Sequence, residues 1–168
     1  YRERGYSPEA FANMIAVLGW HPTGEQELFS MDEMIKQLSL ERVHKAGAKF
    51  DPEKNKWFNH QYLQKQSDES LANSFTTILK ERGILTALDV TKIVSLIKER
   101  ANFVSEFWEM SDFFFEAPTS YDEKASKNWK EETPALMNQL VAVLNSIEDF
   151  SSLNIETIVK DWMTQNEI

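Results

Sequence analysis

Apolar residues recur through this chain at intervals of three and four, which lines them along one face of a helix. No stretch sustains the apolar–polar alternation that a half-buried strand needs. The signals that start and stop helices fall where that periodicity begins and ends. Ser7 can cap a first turn whose next residue is Pro8, a position where the missing N–H costs nothing, and Phe11, Met14, Ile15 and Leu18 then share a face up to Gly19. Ser30-Met31-Asp32-Glu33 spells a capping box and predicts a short helix through Leu38. Asp51-Pro52-Glu53 repeats the cap-then-proline signature and opens a helix carrying Trp57, Phe58 and Tyr62, with Trp57 expected to anchor it to the core.

The same grammar continues. Leu71, Phe75, Ile78 and Leu79 predict a helix from about Glu69 to Arg82, with Gly83 as its left-handed stop. Between Asp89 and Phe115 the residues Ile93, Val94, Ile97, Phe103, Val104, Phe107 and Trp108 predict one long helix or two in series, with a break near Ala101. Tyr121 to Trp129 reads as a short helix, and Thr133-Pro134 starts another bearing Leu136, Leu140, Val143, Leu144 and Ile147. Asn154 is expected to cap a terminal one with Ile158, Val159 and Trp162. The expected fold is therefore all-α, in two successive helical lobes, 1–66 and 67–168. The polar run from Gln64 to Ser70 separates two strongly apolar patterns but is too short to be a free linker.

Composition narrows the chemistry. With 168 residues, 42% of them hydrophobic and 27% charged, the chain has the material for a real core. It contains no cysteine, which excludes thiol catalysis and cysteine-based metal sites and makes the cytoplasm the default compartment. No run of about 18 apolar residues suggests a membrane span. The opening Tyr1-Arg2-Glu3-Arg4 lacks both a methionine and a secretory apolar stretch, which fits a processed or deliberately cut chain.

A net charge of −9 argues against indiscriminate nucleic-acid binding, which draws its free energy from cations displacing counterions. The charge is unevenly spread, however. From Leu40 to Gln66, Arg42, Lys45, Lys49, Lys54, Lys56 and Lys65 face only Glu41, Asp51 and Glu53, a local balance of +3 that leaves −12 elsewhere. Such a stretch fits a protein that admits nucleic acid on one surface and repels it on others. An ordinary solvated loop and helix fits the same pattern.

Other chemistry is sparse. There is no glycine-rich phosphate loop, no Gly-x-Ser-x-Gly elbow and no histidine pair at zinc-ligand spacing, and His21, His44 and His60 are dispersed. Glu106, Glu109, Asp112 and Glu116 have helical spacing and could hold a divalent ion or simply form a solvated face. Phe113-Phe114-Phe115 could offer a base-stacking platform, but core packing is the expected role, with at least one ring left exposed or in a loop; Trp20, Trp129 and Trp162 are likewise expected inside.

Two stretches carry a family resemblance. The run Gly5-Tyr6-Ser7-Pro8-Glu9-Ala10, then Asn13 and Leu18-Gly19-Trp20, with Glu27-Leu28-Phe29-Ser30 after it, resembles the segment following the ATP-handling loop of bacterial glutamyl-tRNA synthetases. Leu38-Ser39-Leu40-Glu41-Arg42-Val43, followed by Phe50-Asp51-Pro52-Glu53-Lys54 and Lys56-Trp57-Phe58-Asn59, is similar to that family's Phe-Ser/Thr-x-Glu-Arg-Val and Phe-Asp-x-x-Lys-Leu-x-Trp-x-Asn blocks. The match departs at Leu38 and at Asn55, where the family usually has an apolar leucine. The remainder, including Phe103-Val104-Ser105-Glu106-Phe107, resembles the helical anticodon-binding lobe more loosely.

The resemblance implies the C-terminal, tRNA-gripping part of an ATP-dependent glutamate–tRNA ligase without its catalytic domain, a fragment that positions tRNA but is inactive alone. It implies tRNA(Glu) as partner, no cofactor in these residues, ATP and magnesium for the full-length enzyme, and glutamate and ATP handled only by the missing domain; a monomer in the cytoplasm is the default expectation, although the sequence does not give the oligomeric state. Arg42, Lys45 and Lys54 would contact the RNA backbone, while Lys56, Asn59 and His60 would lie near anticodon bases. At Lys56 the family can carry a base-reading arginine, whose planar two-pronged donor a lysine does not reproduce. A helical protein–protein interaction scaffold is the alternative, motivated by the acidic remainder and the abundance of aromatic residues.

Overall fold

Serine and aspartate caps open most of the helices, as their local hydrogen-bonding chemistry requires. In the computed structural model, which describes residues 1–22, 24–45 and 47–167, the Ser7 hydroxyl accepts the Ala10 N–H at the start of α1 (Pro8–Gly19). Ile168, the last residue of the second expected lobe, lies outside the described residues. At α2 (Met31–Gln37) the capping box is complete: the Ser30 hydroxyl accepts from Glu33 N–H and the Glu33 carboxylate accepts from Ser30 N–H. The Ser30 N–H, with a further contribution from the Ser30 side chain, holds the Glu33 carboxyl below its ordinary range. Asp51 caps α3 (Pro52–Lys65) by accepting from both Glu53 and Lys54. Ser67 does the same for α4 (Asp68–Glu81), and Asp89 for α5 (Val90–Ile97).

Stops are equally local. Gly83, at φ 79°, ends α4 in a Schellman turn in which Ile84 N–H reaches the Leu79 carbonyl and Gly83 N–H the Lys80 carbonyl. The break expected near Ala101 is present: α5 tightens into a 3₁₀ turn at Lys98–Arg100, Ala101 is extended, and α6 (Phe107–Ser111) resumes after a second 3₁₀ turn.

The chain divides into two compact units, Tyr1–Ala117 and Pro118–Ile168. In the first, α1 packs on α3 and α2 on α1, burying Ala10, Met14 and Phe58 in one cluster and Trp20, Phe29 and Met34 in another. A third cluster joins Leu71, Phe75 and Leu79 of α4 to Ile93, Val94 and Ile97 of α5, with Phe107 of α6 and Leu63 from the end of α3. The α1–α3 seam is also polar. Asn13 donates to the Glu27 carbonyl (2.9 Å) and accepts Phe29 N–H (2.8 Å), while the Tyr62 hydroxyl reaches the Phe29 carbonyl at 2.5 Å. Burial, helped by Glu9 and Glu33, pushes the Tyr62 phenol up from its ordinary value.

The second unit contains α7 (Glu123–Asn128), α8 (Thr133–Asn145) and α9 (Ser152–Gln165), with α8 packed against α9. Trp162 is its buried anchor among the described residues.

Three expectations are corrected and a fourth holds in part. Ile15 points outward because the buried face of α1 is built around Ala10, Asn13 and Met14. Asn154 does not cap α9; it lies inside the helix, which starts after Ser151, and ties its amide back to the Asp149 carbonyl. Trp57 and Trp129 are exposed, whereas Trp20 and Trp162 are buried as expected. Of the phenylalanine run, Phe113 and Phe114 are exposed, and Phe115 packs beside Trp108 on the third cluster.

Candidate nucleic-acid interface

Helix α3 has two faces of different chemistry. Asn55, Phe58, Asn59 and Leu63 recur at helical spacing and are buried, so Glu53, Lys56, Trp57 and His60 are turned the other way. What completes their surface comes from far along the chain. The helix break at Ala101 leaves the Ala101 and Asn102 carbonyls without intrahelical partners and the Lys98 carbonyl with only the Ala101 N–H of its 3₁₀ turn, and buried carbonyls must find donors elsewhere.

Helix α3 supplies those donors. Gln64 Nε2 donates to the Lys98 carbonyl (2.7 Å), His60 Nδ1 to the Ala101 carbonyl (2.8 Å) and Asn59 Nδ2 to the Asn102 carbonyl (2.6 Å). Because a carbonyl can only accept, His60 carries its proton on Nδ1. The clasp is returned by Lys98, whose Nζ donates to the Gln66 carbonyl (2.5 Å) and pairs with Asp68 at 3.0 Å.

This stitching sets Arg100 and Asn102 beside Glu53, Lys56, Trp57 and His60, around an open cleft of about 290 Å³. Neither Lys56 nor Arg100 is in a salt bridge among the described residues. Trp57 is 40% exposed and its ring meets Phe58 edge-on, which anchors the indole from the core side. Two cations, an exposed indole and an imidazole in one open cleft suit unpaired nucleic acid: the cations can meet phosphates and the indole offers a stacking face.

The sequence-predicted residues are thus only partly gathered. Lys56 and His60 line the cleft. Asn59 does not face it: its side chain is 3% exposed, with Oδ1 accepting Ser7 N–H (2.8 Å) and Nδ2 spent on Asn102, so it ties helices together and has no surface with which to read a base. Lys54 pairs with Glu27 outside the cleft. Arg42 and Lys45 are exposed on a different segment, where an isolated antiparallel bridge between Trp20 and Val43 pins residues 42–44 to the end of α1 and sets the His21 and His44 rings 3.9 Å apart.

Arg100 and Asn102 escaped sequence reading. The local signal was Lys98-Glu99-Arg100 just ahead of the expected break, but nothing local says that this turn meets α3. Glu106 uses its carboxylate to cap the Asn102 and Phe103 N–H groups, and among the described residues no group of three or more histidine or carboxylate side chains could hold a metal ion.

Comparison with known proteins adds an independent line. Residues 55–168 match the family model of an anticodon binding domain, and residues 1–57 match that of the catalytic domain of class I tRNA synthetases of the E and Q type. The chain is 68% identical over 169 aligned positions to the glutamate–tRNA ligase of Flavobacterium johnsoniae, covering 100% of the chain and 34% of that protein. It is 51% identical to that of Phocaeicola vulgatus, covering 97% of the chain and 33% of the relative. Among solved structures, the glutamate–tRNA ligase of Elizabethkingia meningosepticum in complex with its amino acid superposes with a TM-score of 0.89 at 46% identity, over 100% of this chain and 34% of that one. The chain spans about a third of the length of the relatives it matches.

Proposed function

The chain belongs to the glutamyl-tRNA synthetase family and carries that family's anticodon-binding domain, and from that premise we propose that it grips the anticodon stem and loop of tRNA(Glu). The observation that supports this most directly is the cleft itself, where Lys56, Trp57, His60 and Arg100 meet within the matched domain. Arg42 and Lys45 on the loop after α2 would add backbone contacts, and Lys54 could do so once it gives up Glu27, a half-exposed pair of little energetic weight. The chain would grip tRNA in the cytoplasm. Among the described residues no helix is long and apolar enough to cross a membrane.

The whole ligase would activate glutamate with ATP and magnesium and pass the acyl group to the tRNA terminus. No step of that chemistry is assigned to the described residues, among which no histidine or carboxylate cluster could hold a metal ion. Their contribution is register and selection. The division into lobes at residues 66 and 67 is retained in this reading: the α1–α2–α3 clusters would follow the stem and the α4–α5–α6 cluster would support the cleft from beneath.

The test is binding of this chain to glutamate-type tRNA, an anticodon-changed version and an unrelated tRNA across a salt series. Matched tRNA should bind best and weaken with salt, and Lys56→Ala should lower affinity and reduce the log–log salt slope by about one. Unchanged binding by Lys56→Ala together with equal binding of all three RNAs would remove the cleft as the contact surface.

A further inference from the structure

The two cations of the cleft differ in how they are rooted and in what they can recognise. Lys56 is a flexible point charge on a helix. Arg100 leaves the backbone in the 3₁₀ turn between Lys98 and Ala101, and the carbonyls of Lys98, Ala101 and Asn102 on either side of it are each held by a side chain of α3. The Arg100 Cα is thus fixed to α3 on both flanks, while its side chain stays exposed and pairs with no carboxylate among the described residues.

A guanidinium is a planar fork of donors that matches the paired acceptors of a base edge, and a preorganised root reduces the entropy lost when it binds. Trp57 lies in the same cleft with an exposed indole, able to stack on a base and hold its edge in the plane the fork requires. Glu53, also in the cleft, penalises a phosphate approaching from its side and favours a donor-bearing base edge.

We infer that Arg100 is the sequence-discriminating residue of this cleft, reading the acceptor edge of one unpaired loop base that stacks on Trp57, with Lys56 meeting the adjoining phosphate. His60 is a positioning residue, acting through its Nδ1–H bond to the Ala101 carbonyl. This rests on the reading of the cleft as the anticodon-loop contact.

The experiment measures binding of this chain to a synthetic anticodon stem–loop with a glutamate anticodon and to the same hairpin with each loop base changed in turn. Arg100→Ala should weaken the matched hairpin roughly tenfold to a hundredfold and flatten the preference at one loop position. Arg100→Lys should be nearly as damaging, because the charge remains but the fork is lost. His60→Ala should lose part of the same preference and His60→Asn, which keeps a donor near the Nδ1 position, should restore it. Unfolding temperatures of all variants identify any that lose affinity through misfolding. If Arg100→Lys binds like the parent, or if Arg100→Ala weakens every hairpin equally while Lys56→Ala still costs affinity, the inference is overturned and the cleft reading survives. If neither Arg100→Ala nor Lys56→Ala changes binding, both fall.

Discussion

Asn59 and Asn55 lie about one turn apart on the buried face of α3, 3% and 0% exposed, yet the two regions of the helix treat the same side chain in opposite ways. Toward the end of α3, Asn59 bonds Ser7 with one atom and Asn102 with the other, close to the Asn13–Tyr62–Phe29 network. In the first turns, both polar atoms of Asn55 are buried with no hydrogen-bond partner. Burying an amide costs free energy that only good hydrogen bonds offset, so the first region gains stability and rigidity from its asparagines and the second loses it.

The largest expected effect breaks the favourable half of that comparison. Asn59→Ala strands the Ser7 N–H and the Asn102 carbonyl and should destabilise the chain by about 2–3 kcal/mol in urea unfolding. A loss under about 0.5 kcal/mol would show that these bonds do not hold the seam. The unfavourable half should respond with the opposite sign. Asn55→Leu removes two unpaired polar atoms and should raise stability by about 1–2 kcal/mol, read from the same titration; a drop instead would mean that the site cannot accept the extra volume or that water pairs the amide.

The smallest effect sharpens the network. Tyr62→Phe removes the bond to the Phe29 carbonyl and should cost about 1 kcal/mol at neutral pH. Since burial raises the Tyr62 pKa in the folded state, its contribution is fully present below the ordinary phenol value and is lost as pH rises through the folded one. The parent should therefore lose stability on the alkaline side of pH 10 more steeply than Tyr62→Phe. Parallel alkaline slopes in the two proteins would contradict that account.

Much of the fold was legible because its signals are local. A hydroxyl or carboxylate at Ser7, Ser30 or Asp51 can reach its own helix's first amides whatever the rest of the chain does, and Gly83 tolerates a positive φ without help. The site was legible only in part. Lys56 and His60 were placed by α3 and found, but Trp57 was expected inside, since an aromatic residue at helical spacing fits either face until the partner helices are known.

Sequence alone determined the all-helical class, the starts and stops of the main helices, the break at Ala101 and the basic character of the stretch around α3, because each follows from neighbours a few residues apart. Tertiary structure decided which side of α3 was buried, that Asn59 is a tie rather than a reader, and that Arg100 belongs to the cleft. The physical reason is the orphaned backbone of the break: its carbonyls had to find donors, and the side chains that reached them came from a helix some forty residues earlier, a match that no local pattern encodes.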